Sequence, residues 1–351
     1  MSGPTRPEPS IVALGGGHGL YATLTAVRTL SPNITAVVTV ADDGGSSGRL
    51  RRELGVIPPG DLRMALAALA GTDPHAQLWR ATVQHRFRGD GPLAGHSVGN
   101  LILAGLTEVI GDPVVALEEL ARILNLSGRV LPMSTIPLAI EADVSGLESD
   151  PRVSRVVRGQ VAVAVTPGKV RRVRLVPADP PACPEALDAI ESADLVVLGP
   201  GSWFSSVIPH VLVPEVRNAL ARTRARKVLV LNLGAEPGET AGFSAERHLH
   251  VLSQHAPELA VDHIVVDAPS VEGDREREHL RRAAANFGAV VSFADVAESG
   301  ALRHDPEKLA AAIESLRTAS NATPAPMQMD DGDDRAGVDA GPGRKESTSW
   351  R

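Results

Sequence analysis

Short runs of apolar, β-branched residues alternate with stretches of helical period along most of the chain. Six runs, at residues 11–14, 34–41, 194–198, 227–233, 263–267 and 289–293, are largely apolar, as strands covered on both faces are. Between them, Leu62, Leu66 and Leu69 share one helical face, and helices are expected at 101–109, 115–124, 184–192, 214–224 and 306–317. Pro184, Pro214 and Pro306 suit first helical turns, where the missing N–H costs nothing. This alternation predicts βαβ units and an α/β, Rossmann-like, doubly wound, mostly parallel sheet. Residues 137–179 break it. There 161–165, a Thr166-Pro167-Gly168-Lys169 turn and 170–176 read as a hairpin, so an antiparallel β insertion is expected. Its second arm carries Arg171, Arg172 and Arg174, for which a solvated strand face is the simpler reading and an anion site the alternative.

Composition narrows the class of protein. The 351 residues include 35 Lys+Arg against 42 Asp+Glu, a formal charge of −7, which is the wrong sign for an electrostatic nucleic-acid binder. Cys183 is the only cysteine, so neither an intramolecular disulfide nor a multi-cysteine zinc site can form. No apolar run approaches the ~20 residues of a membrane span, and the first residues lack the apolar stretch of a signal peptide, so a cytoplasmic protein is expected. Residues 10–319 are expected to form one domain. Residues 1–9 and the acidic, Gly- and Pro-rich tail 320–351 have too little apolar periodicity to order themselves. A homo-oligomer is compatible with the sequence.

Four polar, glycine-rich stretches follow apolar runs or open helices. The run ending at Leu14 enters Gly15, Gly16, Gly17, His18 and Gly19 before a helix, an arrangement that lets backbone N–H groups approach a phosphate. The GxGxxG pattern fails at Leu20 when counted from Gly15, and the P-loop ending of Lys and Ser/Thr is missing. The second run delivers Asp42 and Asp43 to its carboxyl end, followed by Gly44, Gly45, Ser46, Ser47 and Arg49. An acid there can hold a ribose hydroxyl or a divalent metal. Asp61 returns to the same edge at a helix start, where it would also serve as an N-cap. The third stretch, Gly95-His96-Ser97-Val98-Gly99-Asn100, fits the G-x-S-x-G nucleophile elbow in letters. Its lead-in is too rich in Gly, Pro and Asp for the buried strand that motif needs, so His96, Ser97 and Asn100 read as the polar start of a helix. The fourth is Gly199-Pro200-Gly201-Ser202 with Ser205 and Ser206. Paired with the first, it predicts a diphosphate clasped from both sides of a crevice, with Asn232, Glu236 and Glu239 closing the next strand at that edge.

Together these stretches resemble the YvcK/CofD-like family, closest to its YvcK branch, the gluconeogenesis factors. The resemblance is carried by GGGHG (15–19), TVADDGGSSGRLR (39–51), PPGDLRMALAALA (58–70), GHSVGNL (95–101), LGPGSWFSSVIPH (198–210), PGETAGFS (237–244) and LRHDPEKLA (302–310). It implies a Rossmann-like fold, binding of a UDP-sugar such as UDP-N-acetylglucosamine with no required cofactor, and a regulatory role in cell shape and wall synthesis on gluconeogenic carbon. The ligand contacts would come from the four stretches above and from Arg303, a candidate for the diphosphate. The CofD branch, similar in fold, transfers phospholactate to a deazaflavin precursor with a divalent metal such as Mg2+. Its metal-binding acids would fall on Asp42, Asp43 and Asp61. Truncation after Ala319 is expected to leave the melting temperature and ligand binding unchanged; a clear fall in melting temperature would show that the tail docks.

Overall fold

The computed structural model describes residues 8–150, 152–236 and 239–318. The tail from 320 and the first seven residues lie outside them. Among the described residues, ten strands form two sheets. Strands β1 (Ile11–Gly15), β2 (Ile34–Val38), β3 (Arg129–Pro132), β7 (Leu195–Leu198), β8 (Arg226–Val230), β9 (His263–Asp267) and β10 (Val290–Ala294) make a seven-stranded sheet in the order β10-β9-β8-β7-β1-β2-β3. Every neighbouring pair is parallel. Residues 11–14 of β1 are no more than 2% exposed, which is why that run is apolar at successive positions rather than alternating.

The six strands expected for the parallel sheet are present, although β2 ends at Val38 rather than 41 and β8 at Val230 rather than 233. The four-residue β3, an edge strand carrying Arg129 and Pro132, is too short and too polar at its ends to have shown in the apolar pattern. The chain leaves β1 toward β2 and β3, then returns to the other flank of β1 as β7 and runs outward to β10. Strand order therefore reverses between β1 and β7, where an open α/β sheet leaves a crevice at its carboxyl edge.

Four helices bear on that crevice: α1 (Gly17–Val27), α2 (Gly45–Leu54), α3 (Pro59–Leu69) and, after α4 (Pro74–Gln84), α5 (Val98–Ile110). The expected insertion is a second, antiparallel sheet, β5-β4-β6, formed by β4 (Ala139–Ser145), β5 (Ser154–Arg158) and β6 (Lys169–Val176). Its internal pairing differs from the hairpin read in the sequence. Residues 161–165 are not the partner of β6. Gln160–Ala164 is a helical turn, opened by Gly159 at φ +95°. The Val-Ala-Val-Ala-Val alternation suits a half-buried strand, but here only Val163 is buried, while Val161 and Val165 are exposed. The Val161 N–H is instead held by the Asp43 carboxylate at 2.9 Å, a partner 118 residues away that no local pattern could signal.

One close contact seats α1 on the loop after β7 at the crevice. Gly19, in the first turn of α1, packs so closely on the loop after β7 that a Cβ there would sit 2.2 Å from the Pro200 carbonyl oxygen. The Thr23 hydroxyl donates to the Gly199 carbonyl at 2.9 Å from the same helix face. Gly19→Ala should therefore destabilise the fold by ~1–3 kcal/mol through overpacking against backbone. Gly105→Ala, on the exposed face of α5 with nothing near its Cβ position, should instead stabilise by about 0.5–1 kcal/mol. Denaturant unfolding of the two variants checks both signs.

Candidate functional site

The site is built at the carboxyl ends of β1 and β7. Gly16 caps α1 without a side chain, and any Cβ on it would lie 2.6 Å from both an Asp61 carboxylate oxygen and the Thr39 methyl, and 3.1 Å from the Ser206 hydroxyl. Gly17 sits at φ +56°, a conformation that β-branched residues adopt only under strain. Across the crevice, Gly199 (φ +72°) and Gly201 (φ +146°) flank Pro200. Asn232, at the end of β8, holds the Gly201 peptide from both sides: its Oδ1 accepts the N–H at 3.0 Å and its Nδ2 donates to the carbonyl at 2.9 Å.

Two chambers open from this floor and share His18, Gly19, Gly201 and Glu236. The narrower, about 290 Å³, is polar; Gly16, Gly17, Asp42, Asp61, Ser202 and Gln160 line it together with Thr39, Ser205 and Ser206. The wider, about 490 Å³, is mainly apolar and is bounded by Tyr21, Pro200, Leu233, Leu302, Arg303 and His304. Arg303 is engaged by Glu298 at 2.6 Å and remains largely exposed. The buried His304 Nε2 has no hydrogen-bond partner among the described residues. Burial lowers its pKa to about 4, so the ring is neutral at physiological pH.

Asp42, Asp61 and, at the shared rim, Glu236 supply the carboxyls of the narrow chamber. Burial, reinforced by the Asp42 charge, raises Asp61 to about 7 despite the Gly17 N–H bonded to it and the positive Arg63 nearby. Burial also raises Asp42, against the stabilising Gly44 N–H at 2.9 Å and the Ser47 hydroxyl. Asp43 does not join them. Its carboxylate points into the insertion, onto the Val161 N–H, so the three-aspartate metal cradle implied for a transferase is reduced to Asp42 and Asp61. Two hard carboxylates still suit Mg2+, which keeps waters and completes its sphere on substrate phosphates. Among the described residues no group of three or more His, Cys, Asp or Glu side chains is placed to hold a metal.

The clasp of a diphosphate between two glycine-rich helix starts is also altered. The turn Trp203–Val207 after β7 is capped from within the protein: the buried Glu239 carboxylate accepts the Phe204 N–H at 2.6 Å and the Ser202 hydroxyl, which in turn accepts from Ser205. A side chain of the protein thus occupies the helix start where a phosphate was expected. The first turn of α1 keeps the unpaired N–H groups that helix geometry leaves, apart from the Gly17 N–H bonded to Asp61. Burial and Glu239 together push Glu236, at the shared rim, above the usual carboxylate range.

The Gly95–Asn100 stretch lies behind the chambers rather than in them. Arg63 Nε donates to Asn100 Oδ1 at 2.9 Å, Asn100 Nδ2 donates to the Ser46 hydroxyl at 3.0 Å, and Ser46 meets His96 Nδ1 at 2.9 Å, all buried. Arg49 straps the loop before them through the Ala94 carbonyl at 2.6 Å. Ser97 is fully buried at the α5 N-cap, its hydroxyl is without a partner among the described residues, and His96 is bonded to Ser46. A nucleophile elbow is therefore absent from this stretch. Gly15, Gly44, Gly45 and Gly199 likewise shape loops without lining either chamber. Thr39, Ser205, Ser206 and Gln160 also line the narrow chamber. The first three stand inside the motifs already read, whereas Gln160, in the insertion, carries no local signal.

The sequence model of the family described as 2-phospho-L-lactate transferase CofD matches residues 11–301. The chain belongs to the CofD family. Within it, a Mycobacterium leprae relative is 61% identical over 360 aligned residues, covering all of both chains. A Bacillus subtilis protein named gluconeogenesis factor is 39% identical over 272 residues, 78% of this chain and 83% of its own. The crystal structure of a UPF0052 family protein from Bacillus halodurans superposes with a TM-score of 0.77 at 36% identity, covering 88% of this chain and all of that one.

Asp61 generates a pH prediction. Its folded pKa, about 7, lies above the unfolded value, so the folded state holds the extra proton and stability is lost as pH rises from about 4 to 7. Asp61→Asn keeps an acceptor for the Gly17 N–H and removes that loss. Its melting temperature relative to wild type should rise from pH 4 to about pH 7 and then level off; a pH-independent difference would contradict the assignment.

Proposed function

We propose that this protein is a cytoplasmic regulator that binds a UDP-sugar, of the UDP-N-acetylglucosamine type, and controls cell shape and wall synthesis on gluconeogenic carbon. The observation that carries the binding half is the pair of chambers meeting at the first turn of α1. The wide, apolar chamber suits a nucleoside, the shared rim with its helix N-terminus suits a diphosphate, and the narrow, hydroxyl-lined chamber suits a sugar. Arg303, tethered only by an exposed ion pair, is free to exchange Glu298 for a phosphate. The regulatory half is supported by the name gluconeogenesis factor, borne by relatives that cover most of this chain.

A second reading is kept alive by one observation, the Asp42 and Asp61 carboxyls facing the same chamber. If Mg2+ is held there, it would neutralise phosphate charge during a phospholactate transfer of the CofD kind. The protein's own part would be to bind and orient the donor on α1 and to fix both carboxylates through Gly44, Ser47 and Gly17.

Calorimetry with UDP-N-acetylglucosamine, with and without Mg2+, separates the two. The regulator reading expects one site per chain, an affinity unchanged by metal, no product after long incubation, and loss of binding in Gly17→Val, whose side chain would fill the phosphate approach. Metal binding that disappears in Asp42→Asn and Asp61→Asn, coupled to turnover of a phospholactate donor, would replace the regulator with the transferase.

A further inference from the structure

The insertion reaches the site through a single short segment. Residues 159–161 lie against residues 43 and 44, and the approach depends on two glycines. A Cβ on Gly159 would sit 2.2 Å from an Asp43 carboxylate oxygen, and one on Gly44 would sit 3.0 Å from the Val161 side chain. The Asp43 carboxylate accepts the Val161 N–H at 2.9 Å, so the segment is held on both sides of Gln160. Gln160 is half-buried, lines the narrow chamber alongside Asp42 and Asp61, and its amide has no hydrogen-bond partner among the described residues. The carboxyls of that chamber, Asp42, Asp61 and Glu236, only accept when ionised, and its other side-chain donors are the His18 ring and short hydroxyl side chains. An amide both donates and accepts, which is what discrimination among sugar hydroxyl and acetamido groups requires.

We propose that Gln160 is the specificity-determining contact to the sugar of the bound nucleotide sugar, and that Asp43 is the positioning residue that delivers it. This rests on the nucleotide-sugar reading and adds to it the residue that tells one sugar from another. Asp43 therefore acts at a distance from the ligand, through the backbone of the insertion.

The test measures dissociation constants of the full chain for UDP, UDP-glucose and UDP-N-acetylglucosamine, with thermal melts confirming that each variant is folded. Gln160→Ala should weaken one or both UDP-sugars about tenfold, altering their ratio, while UDP stays within about twofold. Asp43→Ala should reproduce that pattern and speed hydrogen exchange at residues 159–165. Asp43→Asn, which keeps an acceptor for the Val161 N–H, should restore most of both. Equal effects of Gln160→Ala on UDP and UDP-sugars, or none on either, would overturn the proposal. Wild-type protein that binds neither UDP nor a UDP-sugar would overturn the nucleotide-sugar reading itself, and this inference with it.

Discussion

The carbonyl oxygen of Pro200 lies where a side chain on Gly19 would have to be, and this backbone-on-backbone contact seats α1 on the loop after β7 at the reversal point of the sheet. Because α1 can come so close, its first turn overhangs the β7 loop, and both chambers take their common rim from that overlap. Glycine is needed there for space, at Gly17 and Gly201 for positive φ, and at Gly16 so that Asp61, Thr39 and Ser206 can converge. Even a methyl group at Gly16 or Gly19 would push these elements apart.

Around that rim, the protein supplies its own charges before any ligand arrives. Glu239 satisfies the Phe204 N–H and the Ser202 hydroxyl, leaving α1 as the open helix start. Burial holds Asp61 toward its protonated form, reinforced by the Asp42 charge, and burial also raises Asp42, with Asp43 adding to the effect there. Behind them, the Arg63–Asn100–Ser46–His96 chain ties α3, α5 and α2 into one unit. Arg63 is buried without a carboxylate within ion-pair distance among the described residues, and its field acts on Asp61. Such a fully connected buried network fixes orientation more than it adds stability.

The small antiparallel sheet is where the architecture departs from a plain doubly wound fold. Its outer strand β5 is mostly exposed, and Arg155, Arg158 and Arg174 pair with Glu148, Glu141 and Asp143. Of the three arginines read on β6, Arg174 is engaged by Glu141 and Asp143, and Arg171 donates to the Ser145 hydroxyl at 2.7 Å. The functional consequence of the insertion lies at its inner end, where the turn after Gly159 touches the Asp43 loop.

Local pattern by itself determined the sheet and the place of the site. Long apolar runs buried on both faces leave no ambiguity about strand type, and glycine clusters directly after them mark the carboxyl edge at which parallel strands end. Asp42 was legible for the same reason, since it follows such an edge, whereas Asp61 was legible as an acid in the first turn of a helix. The direction of each side chain was decided only by tertiary partners far away in sequence. Asp42 and Asp43 are adjacent, yet one enters the chamber and the other holds an amide 118 residues on. Val161–Val165 alternates like a strand, but an anchored N–H and a positive-φ glycine turn it into a helical segment. Glu239 fills a helix start 35 residues behind it, and His96 and Asn100 turn inward to Ser46 instead of outward to a ligand. Hydrophobic period reports which face of an element is buried; which donor meets which acceptor is set by the packing of elements, and that is absent from any local stretch of chain.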